Sequence, residues 1–177
     1  MKNHTLISGK TVCFTGHRRL PADPAPLREK LRQVLRQKAE EGVTCFRAGG
    51  ALGFDTLAAQ CVLELKEELP HLRLVLMLPC RDQARFWSAG AVREYERIRA
   101  AADEVEVLAE TYTPGCMHRR DRALVEGSDL CICYLTHASG GTAYTVNEAK
   151  KRGVAVLNLA EEPTYETVPL FSEEENE

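Results

Sequence analysis

Six short apolar runs, separated by longer helical or partly amphipathic stretches, constrain this chain more than any other feature. The runs are Lys10–Thr15, Val43–Ala48, Arg73–Leu78, Glu104–Leu108, Leu130–Leu135 and Val154–Leu159. Several are apolar at consecutive positions, as strands covered on both faces must be. Between them the apolar period lengthens to that of a helix. Asp23-Pro24 reads as an N-cap with proline in the first turn, and Leu27, Leu31, Val34 and Leu35 follow at helical spacing up to Gly42. A second helix runs from Asp55 to Leu69, with Leu57, Cys61, Leu65 and Leu69 on one stripe, and Pro70 stops it. In 80–102, Val92, Tyr95, Ile98 and Ala102 make a helix face, 115–127 reads as helical, and Thr142–Arg152 ends at Gly153. Strands alternating with helices predict an α/β, Rossmann-like, doubly wound and mostly parallel sheet with helices on both faces. One domain is expected over 1–162, followed by an acidic, disordered tail over 163–177.

With 177 residues the chain is long enough to bury a core without disulfides or a structural metal. Its net charge of −3 provides no global basic field, so nucleic acid is not the expected partner. No apolar run approaches the roughly 20 residues of a membrane span. The stretch MKNHTLISGK lacks the apolar segment of a secretory signal, which makes the cytoplasm the expected compartment. Most of the seven cysteines fall in apolar runs, as Cys13, Cys131 and Cys133 do, and read as reduced core residues. Cys131-x-Cys133 is too tight for a zinc knuckle and Cys116-x-His118 is isolated, so no metal site is expected. Aromatic and apolar residues in 80–102 leave room for a homo-oligomer.

The unusual residues fall at the carboxyl ends of the strands, where ligands bind in open α/β sheets. After the first strand, Thr15-Gly16-His17-Arg18 offers a glycine that takes positive φ or lets a ligand near the backbone, and an arginine suited to phosphate. After the second, Gly49-Gly50-Ala51-Leu52-Gly53-Phe54-Asp55 is a glycine loop running into a helix, where free N–H groups favour an anion. Asp55 either caps that helix or accepts hydrogen bonds from a ribose. The loop is neither a Walker A sequence nor the dinucleotide fingerprint. Ser139-Gly140-Gly141-Thr142 opens a helix after the fifth strand, with Thr142 either a cap or a phosphate donor. His118-Arg119-Arg120-Asp121-Arg122 cannot aim all three arginines one way, and Arg119 is the one expected on a solvated face. Trp87, the only tryptophan, either stacks on a base or belongs to core or interface.

Taken together, TGHR, GGALGFD, PC…Q…W, YTPGCMHRRDR and SDLCICYL…SGGTAYTV resemble the YpsA-like branch of the SLOG superfamily over about residues 10–160. That superfamily also holds the LOG phosphoribohydrolases and the Smf/DprA proteins. The resemblance implies a Rossmann-like fold that binds a nucleotide or a nucleotide-derived ligand such as NAD or an ADP-ribose fragment, with no obligatory cofactor. LOG enzymes split a nucleoside monophosphate with an arginine and a glutamate in P-G-G-x-G-T-x-x-E. The arginine falls on Arg120, but Thr145 stands where the glutamate would be, and Ala138 and Ser139 replace the leading proline. Binding or sensing of a small nucleotide-like molecule is therefore the leading expectation. The candidate ligand set is Thr15, Gly16, His17, Arg18, Gly49, Gly50, Gly53, Asp55, Arg120, Ser139, Gly140, Gly141 and Thr142. An N-glycosidic or phosphate-ester hydrolase is the alternative, with Arg120 on phosphate and Asp55 or Glu148 as acid or base. Single-stranded DNA binding, as implied by the DprA relationship, is a further alternative.

Overall fold

The computed structural model describes residues 9–160. The expected domain limits at 1 and 162, the tail over 163–177 and most of the N-terminal stretch lie outside the described residues. The chain order is β1 (Lys10–Gly16), α1 (Ala25–Glu40), β2 (Val43–Ala48), α2 (Phe54–Glu68), β3 (Arg73–Leu78), α3 (Ala89–Ala101), β4 (Glu104–Val107), α4 (Cys116–Val125), β5 (Leu130–Tyr134), α5 (Gly140–Lys151) and β6 (Ala155–Asn158).

The six strands form one all-parallel sheet in the order β4-β3-β2-β1-β5-β6. From β1 the chain steps outward to β4, then jumps back across β1 to β5 and steps outward again to β6. Right-handed crossovers place helices on one face while the chain moves one way and on the other when it reverses. The two cores follow that rule. Leu31 and Leu35 of α1, Leu57 and Val62 of α2 and Tyr95 and Ile98 of α3 pack with Phe14, Phe46, Leu76 and Ile132 on one face. Leu124 and Val125 of α4 and Val146 and Ala149 of α5 cover Cys13, Val75, Met77, Cys131 and Cys133 on the other. The sheet is thus apolar on both sides, which accounts for the near-continuous apolar runs. The reversal separates the loops after β1 and β5, whose ends are in register at Thr15 with Cys133 and Gly16 with Tyr134.

The expected elements form, with local corrections. Asp23 is not the N-cap of α1; that position is Pro24, and Asp23 accepts the Ala25 N–H from one residue further out. Asp55 does not cap α2 either. Gly53 holds the cap position with φ +80° and no capping side chain, and Asp55 sits inside the first turn. Thr142 likewise lies inside the first turn of α5, behind Ser139 at the cap position. Segment 80–102 divides into turns and a helix that starts only after Ser88, whose hydroxyl accepts the Ala91 N–H. The cysteines are free thiols, six buried and Cys45 half-buried.

Gly16 serves close packing. Its φ is not positive, and a methyl group there would overlap the Phe54 side chain, which is fully buried against Phe14. Gly140, by contrast, has φ +84° and open space around it. Gly16→Ala is expected to cost about 2 kcal/mol through overpacking, and Gly140→Ala about 1 kcal/mol through backbone strain alone. Urea unfolding of both variants measures the difference; a harmless Gly16→Ala would overturn the packing account.

Candidate functional site

The switch point between β1 and β5 opens into a cleft of about 410 Å³, lined among others by Thr15, Gly16, His17, Arg18, Asp55, Arg120, Ser139, Gly140, Gly141 and Thr142. Ten of the thirteen candidate ligand residues therefore meet there. The remaining three do not line it. Gly49 lies beneath Arg120 and Asp55, where a Cβ would come within 2.5 Å of Arg120 Nη1 and 2.9 Å of Asp55 Oδ2. Gly50 faces Leu78, Gln83 and Tyr95, and Gly53 lies against the backbone of Arg18. All three glycines of the second loop thus pack against the scaffold beside the cleft.

Three helices begin at the cleft. α5 starts with Gly140 in the left-handed region and no side-chain cap, so its first N–H groups have no capping side chain among the described residues. α2 and α4 start on Gly53 and Gly115, also uncapped by side chains, and contribute Asp55 from the first and Met117 and His118 from the second. Their dipoles converge on one volume and make it attractive to an anion. A separate groove runs along the outer faces of α1 and α2, where Arg32 pairs with Glu64 and Arg36 with Glu68 on the surface, away from the strand ends.

Arg120 is buried and committed to the protein. Its Nε donates to Asp121 Oδ1 at 2.8 Å and its Nη1 to the Gly49 carbonyl at 2.6 Å. The bond to Gly49 ties α4, on one face of the sheet, to the loop after β2. Asp55 is buried beside this pair, and its Oδ2 accepts the Ala51 N–H at 3.3 Å. Burial pushes the Asp55 carboxyl up to about 6, against the pull of Arg120. Arg18, in contrast, is exposed on the rim and has no ion pair among the described residues.

The histidines were not fully anticipated. His17 accepts the Thr136 N–H on Nε2 at 2.9 Å and stacks on His137 with centroids 4.0 Å apart. Burial, then the neighbouring His137, lowers its pKa, so it enters neutral solution uncharged with its proton on Nδ1. His118 stacks on Tyr144 at 3.9 Å. His118, His137 and Asp121 line the cleft although sequence reasoning did not place them in the ligand set. The neighbour relation of Asp121 to Arg120 was the available signal; for His137 there was none, because its stacking depends on two strands being adjacent.

The hydrolase candidates fare unevenly. Glu148 does not line the cleft; it is turned to Arg152 and Lys151. Thr145 is buried and donates its hydroxyl to the Gly141 carbonyl at 2.9 Å. Arg119 is exposed, as expected, and donates to the Leu108 carbonyl, while Arg122 donates to the Tyr144 hydroxyl. Cys116 is buried next to Cys80, whereas His118 stacks on Tyr144 at the cleft, so that pair diverges. Among the described residues no group of three or more His, Cys, Asp or Glu side chains could hold a metal ion, and no helix is long and apolar enough to cross a membrane.

The raised Asp55 pKa carries a stability prediction. In the unfolded chain this carboxyl titrates near 3.8, in the folded protein at about 6, so between those values the native state holds a proton the unfolded state has lost. Its contribution is fully present below the lower value and declines as pH rises through the upper one. Asp55→Asn should remove this decline and leave the protein on the order of 2 kcal/mol more stable than wild type at neutral pH. Chemical unfolding across the pH series checks it; parallel curves for the two proteins would sink the idea.

Comparison with known proteins places this geometry. In fold, the chain is similar to DNA processing protein A from Helicobacter pylori, described by its single-stranded DNA binding mode, at TM-score 0.63 and 19% identity over 88% of this chain and 67% of that one. DprA from Streptococcus pneumoniae gives TM-score 0.65 at 19% identity, covering 89% of this chain but only 52% of that one. In sequence, the chain is 29% identical over 138 residues to the SPbeta prophage-derived protein YoqJ of Bacillus subtilis, covering 71% of this chain and 81% of that relative. It is 30% identical over 129 residues to a UPF0398 protein of Halalkalibacterium halodurans, covering 71% and 68%. The family model described as YpsA, the YspA SLOG family, matches residues 22–156, and the chain belongs to that family.

Proposed function

We propose that this protein binds a nucleotide or nucleotide-derived ligand, of the AMP, ADP-ribose or NAD kind, in the switch-point cleft, and acts in the cytoplasm as a binding or sensing domain. The observation that carries the reading is the uncapped start of α5 at Gly140 and Gly141, opening on the cleft opposite the unpaired Arg18. A phosphate seated there would accept backbone N–H bonds from the helix start and meet a cation that has no ion pair among the described residues. Thr15 and Thr142 supply hydroxyls at the same wall, and Asp55 offers a carboxyl group to a ribose. In this reading Arg120 positions Gly49 and Asp121 and does not itself clamp the phosphate.

Turnover is the weaker reading because the carboxylates do not fit it. Thr145 occupies the place of the phosphoribohydrolase glutamate, and Glu148 is paired outside the cleft. Asp55 is the remaining acid, and it lies on the opposite side of the sheet reversal from α5. A single-stranded DNA reading has the fold likeness to DprA in its favour, which weakens the expectation drawn from net charge against a nucleic-acid partner.

Isothermal titration with ribose 5-phosphate, AMP, ADP-ribose and NAD tests the proposal. Binding of at least one of them is expected, with affinity reduced about tenfold in Arg18→Ala through loss of a charge-assisted bond. Arg18 is exposed and unpaired, so this variant should unfold at the wild-type temperature. Folded protein that binds none of the four, yet shifts single-stranded DNA in a salt-dependent manner, would replace this reading with the nucleic-acid one.

A further inference from the structure

Beside the polar cleft lies a second compartment of about 380 Å³, and the two share Arg18 and Met117 as a common wall. The second is lined by a different kind of residue: Leu52, Cys80, Phe86, Trp87 and Tyr112, with Gln83 at its floor. Phe86 is 86% exposed and Tyr112 52% exposed, and they are the exposed large hydrophobic residues among those described. Both therefore border one compartment instead of being scattered over the surface, where such residues need no explanation. The Arg85 guanidinium lies 4.8 Å from the Phe86 ring centroid and 5.8 Å from that of Tyr112.

This surface is held in place. Asp82 accepts the Tyr112 N–H at 3.0 Å and a bond from Arg85 at 2.6 Å, and the Arg81 N–H reaches the Ala109 carbonyl. The loops after β3 and β4 are thereby joined. Trp87 is half-buried, edge-on to Tyr95 at 5.3 Å, and Gln83 Nε2 donates to the Gly50 carbonyl, which anchors the floor to the second glycine loop. Planar faces on a braced frame suit a flat heteroaromatic ring better than a flexible apolar chain.

We infer that this compartment is a ring-binding subsite, which takes the nucleobase or an equivalent flat heterocycle of the ligand whose phosphate end sits in the polar cleft. The inference rests on the proposed phosphate site, because the shared wall at Arg18 and Met117 makes the two compartments one continuous surface. Arg18 then stands at the junction between phosphate and ring. The polar half recognises the sugar phosphate that all such ligands carry, and the aromatic half separates ligands that carry a ring from those that do not.

Trp87 is the chain's only tryptophan, so its fluorescence reports on this compartment alone. Titration of the full chain with AMP is expected to change the Trp87 emission, and ribose 5-phosphate to leave it unchanged while still binding by calorimetry. In a Phe86→Ala, Tyr112→Ala double variant, AMP should bind about tenfold more weakly and ribose 5-phosphate as in wild type, since stacking on aromatic side chains is lost and the cleft is untouched. AMP that binds with a silent Trp87 and unaltered affinity in the double variant overturns the ring subsite and leaves the phosphate cleft standing. Failure of AMP to bind where ribose 5-phosphate binds likewise overturns the ring subsite alone, and failure of ribose 5-phosphate, AMP, ADP-ribose and NAD alike removes both.

Discussion

The buried guanidinium of Arg120 is the interaction on which the site depends. One bond reaches across the end of the sheet to the Gly49 carbonyl, another holds Asp121, and the charge sits close to the buried Asp55. A buried ion pair contributes little net stability compared with apolar packing, yet removing one partner leaves the others desolvated and uncompensated. Its value here is geometric. α4 and the loop after β2 belong to opposite faces of the sheet, and the Arg120 bond to the Gly49 carbonyl joins them across its end. A charged side chain with several directional donors does so while leaving the space above it open.

That arrangement exists only because the chain reverses direction after β4. Had β5 been added beyond β4, the loops after β1 and β5 would lie four strands apart and no cleft would separate them. The reversal places α4 and α5 on the face opposite α1, α2 and α3, and three uncapped helix starts then face one volume. Protein groups normally satisfy such N–H donors. At α2 and α4 the first N–H groups turn to backbone carbonyls, of His17 and Thr113, whereas the start of α5 has no capping side chain and opens on the cleft that the exposed Arg18 borders.

The cleft and the aromatic compartment differ in what they can discriminate. Backbone N–H groups and a helix dipole recognise phosphate with little regard for what is attached to it. Stacking faces recognise a ring with little regard for its edge substituents. Side by side across Arg18 and Met117 they would select molecules that carry both features at a fixed separation, and rigidity in the loops after β3 and β4 would limit the cost of ordering the site on binding.

The sequence by itself determined the strands, the helices and the fold class, because a sheet covered on both faces demands continuous apolar runs and its helices demand one apolar stripe each. Ten of the thirteen candidate residues line one cleft, because the glycine motifs mark strand ends and the sheet order brings those ends together. The sequence could not separate a glycine with open space around it from one that lets two elements pack: Gly140 is the first kind, Gly16 and Gly53 the second, and the difference lies in which side chain or backbone sits opposite. Nor could it tell that Arg120 is spent on Gly49 and Asp121 while Arg18 stays unpaired, or that Glu148 turns to Arg152. Only the tertiary structure decided these, because burial, charge pairing and stacking are properties of residues brought together from distant parts of the chain, and periodicity records neighbours along it.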